Sequence, residues 1–200
     1  MTGDLLADLA AAGGVVLHDP ADLFDDRLLG LPIPPEHLAL LARSNGLEGY
    51  GGWLRLLPVG RPSPIELRRW NHPDLWRDAW ADRLDGYLCF AETGWGDQYA
   101  YRPEDGDGLV HRLDAFAMEP EPIAGSFDEF LRGHFLPGCR RPADEVTVAA
   151  RELHGLLPVA EHVVVQGSRE DALDPATIVR LPAAAAMRAH ARARPLPVSA

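Results

Sequence analysis

An α+β fold is predicted for this chain by three observations. Strand-like runs at Tyr87–Ala91, Tyr99–Arg102 and Leu109–Leu113 follow one another with Gly/Asp-rich turns between them. Helical patterns with recognisable starts and stops flank these runs on both sides. Hydrophobic residues make up 46% of the chain and charged residues 24%, the balance of a sequence that buries a core. Short turns can join only antiparallel neighbours, so the central sheet should be mostly antiparallel, with helices packed around it. At 200 residues the chain is expected to form one domain spanning 1–200.

Before the central strands, Thr2–Ala12 reads as an amphipathic helix stopped by Gly13-Gly14, and Val15–His18 as a short strand. Asp19-Pro20 can start a helix over Ala21–Leu29, because aspartate caps free amides and proline is pre-shaped for the first turn. Pro34-Pro35 opens another helix, which Ser44-Asn45-Gly46 closes. Trp53–Leu57 reads as a strand ended by Pro58. From Ser63 to Leu84, Pro62, Pro64 and Pro73 limit any helix to a few residues.

After the central strands, EDGDG at 104–108 reads as a hairpin loop. Ser126 and Glu129 fit a capping box, and Phe127, Phe130, Leu131 and Phe135 repeat at helical spacing, placing one aromatic face on the sheet. A last unit follows: a helix over Asp144–His154, strands His162–Gln166 and Thr177–Leu181, and a helix over Ala183–Ala193. Arg188, Arg192 and Arg194 suit the negative end of that helix.

Composition narrows the function. The net charge is −11, from 30 acidic residues against 19 arginines and no lysine, which argues against a nucleic-acid partner and is compatible with a basic protein. No apolar run is long enough to span a bilayer and the first residues lack a basic leader, so a cytoplasmic location is expected. Cys89 and Cys139 read as buried free thiols. GxSxG, GxxxxGK, GxGxxG and HExxH are all missing, and the eight histidines are scattered; no cofactor and no metal are expected, and the chain reads as a non-enzyme.

The segment joining two strong strands, Glu92 to Gln98, sets Trp95 between two glycines and among acids. Two readings stay open for it. Trp95 can fold back over the sheet end, or Glu92, Trp95 and Asp97 can form a partner-binding surface on a glycine-hinged connection. Glu92 and Asp97 could also serve a hydrolase or transferase together with a distant histidine. Trp70, Trp76 and Trp80 are expected in the core.

LPIPPEHLALLARSNG, YLCFAETGWGDQYAYR and IAGSFDEFLRGHF occur in the order of the helix, strand–turn–strand and closing helix of the SUKH superfamily, which this chain resembles over residues 30–135. That superfamily unites fungal cell-wall-assembly regulators with bacterial immunity proteins. The resemblance implies a non-catalytic α+β scaffold that binds another protein, in bacteria commonly a cognate toxin; a regulatory adaptor without a toxin is the alternative. Residues 142–194 would then be a C-terminal strand-strand-helix extension packed on the SUKH-like core. Partner identity and oligomeric state are not written in these motifs.

Overall fold

The structure is a computed structural model that describes residues 15–21, 30–105, 108–166 and 177–193, together with Ala7, Ala11, Asp171 and Asp174. Its centre is a seven-stranded sheet in which every neighbour pair is antiparallel and spatial order equals chain order. The strands are β1 (Val16–Leu17), β2 (Leu47–Gly49), β3 (Leu54–Leu56), β4 (Leu88–Thr93), β5 (Gln98–Tyr101), β6 (Val110–Leu113) and β7 (Pro120–Ala124). The predicted three-stranded meander is its middle. β2 and β7 escape sequence reading because one is three residues long beside a glycine and the other carries Pro120 and Pro122. Proline lacks the amide a ladder needs, which confines such a strand to an edge, and β7 is an edge.

Helix α1 (Pro35–Leu41) starts after Pro34 as predicted, and Gly46 adopts the positive φ that lets the chain turn into β2. The proline-punctuated stretch yields only α2 (Leu67–Trp70) and a kinked 3₁₀ segment, Arg77–Leu84. Trp70, Trp76 and Trp80 are all buried there. After β7, α3 (Phe127–Phe130) runs through a π-turn, Leu131–Phe135, into α4 (Leu136–Arg140). Its four-residue stripe, Phe127, Phe130, Leu131 and Phe135, lies fully buried, with Phe90 of β4 edge-on to Phe130 at 5.3 Å. Ser126 Oγ accepts from the Glu129 amide as expected, whereas the Glu129 carboxylate reaches the Gly125 amide and not that of Ser126.

The last unit consists of α5 (Glu145–His154), a hairpin of β8 (Glu161–Val165) and β9 (Ile178–Pro182), and α6 (Ala183–Ala193). Asp144 caps α5 through the Val146 amide. Arg188 does not serve its own helix end: it reaches the carbonyls of Asp74 and Leu75 and the carboxylate of Asp78. Most of the predicted helices Thr2–Ala12 and Ala21–Leu29, the centre of the 104–108 loop and Arg194 lie outside the described residues.

Among the described residues, buried apolar side chains gather in two clusters. The larger lies between the sheet and α1, α2, α3 and α4, and takes in Ala183 and Met187 of α6. The smaller joins Trp53 and Trp95 to Ala150, Leu157, Val163, Val165 and Ile178 of the last unit. Cys89 and Cys139 are free and buried.

Candidate functional site

Residues on adjacent antiparallel strands that share a register position project to the same face, and Arg55 of β3 stands opposite Glu92 of β4. Arg55 Nη1 donates to Glu92 Oε1 at 3.1 Å. Its Nη2 points the other way, to the carbonyls of Leu157, Pro158 and Glu161 at 3.3, 2.8 and 3.1 Å. His162 of β8 brings Nε2 to 3.1 Å from the same Glu92 oxygen, and all three side chains are 0% exposed. Burial alone would push the Glu92 carboxyl up; the neighbouring His162 and then Arg55 outweigh it and hold the group below its ordinary value.

The Glu92–Gln98 connection is a tight turn closed by the Gly96 amide on the Thr93 carbonyl at 2.9 Å. Gly96 sits at φ +93°, a conformation that favours glycine, and Met187 Sδ of α6 lies 2.8 Å from where a Cβ would stand. Trp95 lies edge-on to Trp53, ring centres 5.7 Å apart, and donates its indole N–H to Thr147 Oγ1 at 2.6 Å. Trp53 donates its own to the Gly155 carbonyl at 3.0 Å. Asp97 accepts from the Ala115 amide at 2.9 Å and from Arg112 Nη2 at 3.1 Å, and that carboxylate strengthens the hold of Arg112 on its proton.

The expectation that this turn stands on the surface is therefore corrected: Glu92, Trp95 and Asp97 are 0%, 1% and 2% exposed. The last unit closes over Glu92 through His162 and over Trp95 through Thr147, with Leu157 beside Gly94 and Met187 beside Gly96, whereas Asp97 is held by Ala115 and Arg112. Trp95 folds back at the sheet end, as the plainer of the two sequence readings has it. Of the residues considered for chemistry, Glu92 does meet a distant histidine, His162, but both are sealed from solvent, and Asp97 is engaged with a different set of partners. Burial pushes the Cys89 and Cys139 thiols up to about 12, far from the thiolate a nucleophile needs. Among the described residues no three His, Cys, Asp or Glu side chains gather as a metal set.

The accessible feature beside this turn is a cleft of about 310 Å³. Leu54, Tyr99 and Arg112 of the sheet form one wall, and Gly133, Pro137 and Gly138 of the π-turn helix the other. The Arg141–Thr147 stretch closes one end and Trp95 and Asp97 lie at its floor. Sequence reading missed it. The available signal was the small residues Gly133 and Gly138 on the helix side opposite the aromatic stripe, where a helix surface is thinned enough to leave room.

The sequence model of the SMI1 / KNR4 family (SUKH-1) matches residues 26–133, a little over half of the chain. No match is found among curated proteins. The crystal structure of Atu4351 from Agrobacterium tumefaciens is similar in fold, with a TM-score of 0.61 at 12% identity over 98% of this chain and 90% of that one. No helix among the described residues is long and apolar enough to cross a membrane.

Proposed function

Because this chain belongs to the SMI1 / KNR4 family (SUKH-1), we propose that it is a non-catalytic protein-binding domain, and that its partner is a basic bacterial toxin which it neutralises by occupying it. The observation that carries the reading to a surface is the cleft between β3–β6 and the π-turn helix, which opens to solvent. A net charge of −11 favours encounter with a positively charged partner, since complementary charge acts mainly on association rate. Leu54, Tyr99, Pro137 and Pro142 in the cleft offer the apolar, water-excluding contact around which interface energy concentrates.

Co-expression tests the function. A basic protein that halts growth of a host cell when made alone, regains tolerance when this chain is co-expressed, and purifies with it in stoichiometric amount is the expected result. A chain that neither binds nor relieves the toxicity of any such protein encoded beside it would refute the immunity reading.

A further inference from the structure

We propose that the cleft recognises a carboxylate carried on an apolar group, with Arg112 as its donor, so that the partner's anchor is an acidic side chain next to a large apolar one. That the anchor belongs to a protein rests on the binding reading; its chemistry rests on the cleft's own side chains.

The local charge that the cleft offers runs against that of the chain. Besides His134, the charged or titratable side chains lining it are Asp97, Arg112, Arg141 and Asp144. Both carboxylates are engaged at each oxygen. Asp97 accepts from the Ala115 amide through Oδ1 at 2.9 Å and from Arg112 through Oδ2 at 3.1 Å. Asp144 accepts from the Val146 amide through Oδ1 at 3.0 Å and from the Thr147 hydroxyl through Oδ2 at 2.8 Å. The guanidiniums are less fully used. Each donates through Nη2 alone, Arg112 to Asp97 and Arg141 to both Glu145 oxygens, which leaves Nε and Nη1 of both without an acceptor among the described residues. A guanidinium carries five N–H donors, so the larger unused capacity in the cleft is cationic and donating.

Arg112 is the better placed of the two. It stands opposite Tyr99 across β5 and β6, and Tyr99 packs against Phe130 at 4.9 Å, so this is the sheet face that the π-turn helix lies over. Its side chain is 32% exposed, and Asp97 at 3.1 Å with Asp114 at 3.9 Å holds the Nη2 end in place. A half-buried guanidinium already oriented in this way loses little freedom on meeting a second carboxylate. Arg141, 62% exposed, adds positive charge at the cleft end. Leu54, Tyr99, Pro137 and Pro142 supply apolar contact around these cations, and the volume of about 310 Å³ lies at the small end of the roughly 300–1,000 Å³ of ligand pockets. It admits one large side chain with a neighbouring carboxylate. A cationic anchor would be repelled by both arginines, and an uncharged one would forgo the charge-assisted bond. The net charge of −11 steers a basic partner from a distance, while the arginines select what enters at contact.

NMR titration of the full chain with phenylacetate, and separately with phenylacetamide, tests this, since the two probes differ only in the charged group. The Gly133 and Gly138 amide resonances should move saturably with phenylacetate, and its affinity should exceed that of phenylacetamide at least about 10-fold. Arg112→Gln, with its fold checked by thermal melt because Asp97 loses its cation, should bring the two probes to equal affinity. Gly133→Trp fills the cleft and leaves the Arg112–Asp97 pair intact; read at Gly138, it should abolish binding of both probes, and it decides the matter where Arg112→Gln does not fold. Equal affinity for acid and amide in the native chain, no saturable shift with either, an unchanged preference in a folded Arg112→Gln chain, or phenylacetate binding retained by Gly133→Trp would each overturn the proposal. No toxin enters these titrations, so their failure leaves the immunity reading to its own test, and a failed co-expression leaves the preference for phenylacetate unchanged.

Discussion

Arg55 and Glu92 face each other across β3 and β4, paired at 3.1 Å, and both are completely buried by residues more than sixty positions further along the chain. A buried pair is not itself a large source of stability, yet removing one member leaves the other charge without compensation. Arg55→Met and Glu92→Leu are each expected to lower unfolding free energy by about 3 to 5 kcal/mol, and the double variant by clearly less than their sum. Urea denaturation of the three chains measures this; additive losses would mean the pair is not coupled.

Trp95→Ala is expected to destabilise the fold by about 3 to 5 kcal/mol, as truncation of a buried aromatic does. The chain would lose the edge contact with Trp53 and leave Thr147 without its donor. A thermal melt that matches the native chain would contradict the burial described above.

Phe130→Ala should cost a similar amount, about 3 to 5 kcal/mol, because the ring is enclosed by Phe90, Tyr99, Phe127 and Phe135. Ser126→Ala at the same helix removes one acceptor from the Glu129 amide and should cost about 1 kcal/mol. Melting curves of both variants, compared with the native chain, check the ranking; a larger loss for Ser126→Ala would reverse it.

What could and could not be read from the sequence divides along physical lines. Local patterns carried far: the Pro34-Pro35 helix start, the Phe127–Phe135 stripe, the Asp144 cap and the closing strand-strand-helix order all depend on neighbours within a turn or two. Burial of the Glu92–Gln98 turn depends on Thr147, Leu157, His162 and Met187, and nothing within the turn encodes their arrival. The turn was recognisable as a special connection, but whether solvent or protein lay above it was a tertiary property. The cleft is harder still, since it is a space left between Gly133 and Tyr99 by elements with no sequence proximity.

Stability should fall on mild acidification. Burial lowers His37 to about 3; burial, and then the nearby His162, lower His190 to about 4, so both stay neutral in the folded chain where the unfolded chain takes up protons near 6.5. The unfolded state therefore binds more protons below 6.5, and stability drops through that window down to the lowered values, by about 1.4 kcal/mol per pH unit for each group. Glu92 acts in the same sense: its depressed value gives stability present above the ordinary carboxylate range and lost as pH falls through the lowered one. Urea midpoints at pH 7.5 and 5.5 should differ, and His37→Phe should reduce the difference. Equal midpoints would show that neither histidine is buried neutral.

The central claim, that the partner docks in the cleft, rests on a site where one substitution can fill the space without disturbing the fold. A Cβ at Gly133 meets nothing within 4 Å, and the residue is helical, exposed and on the cleft wall. The decisive measurement is titration calorimetry of the Gly133→Trp chain against the partner that co-expression identifies, alongside a thermal melt. The account predicts an unchanged melt with affinity reduced at least about 100-fold, the scale of losing one interface anchor; native affinity in a normally folded Gly133→Trp chain would contradict it.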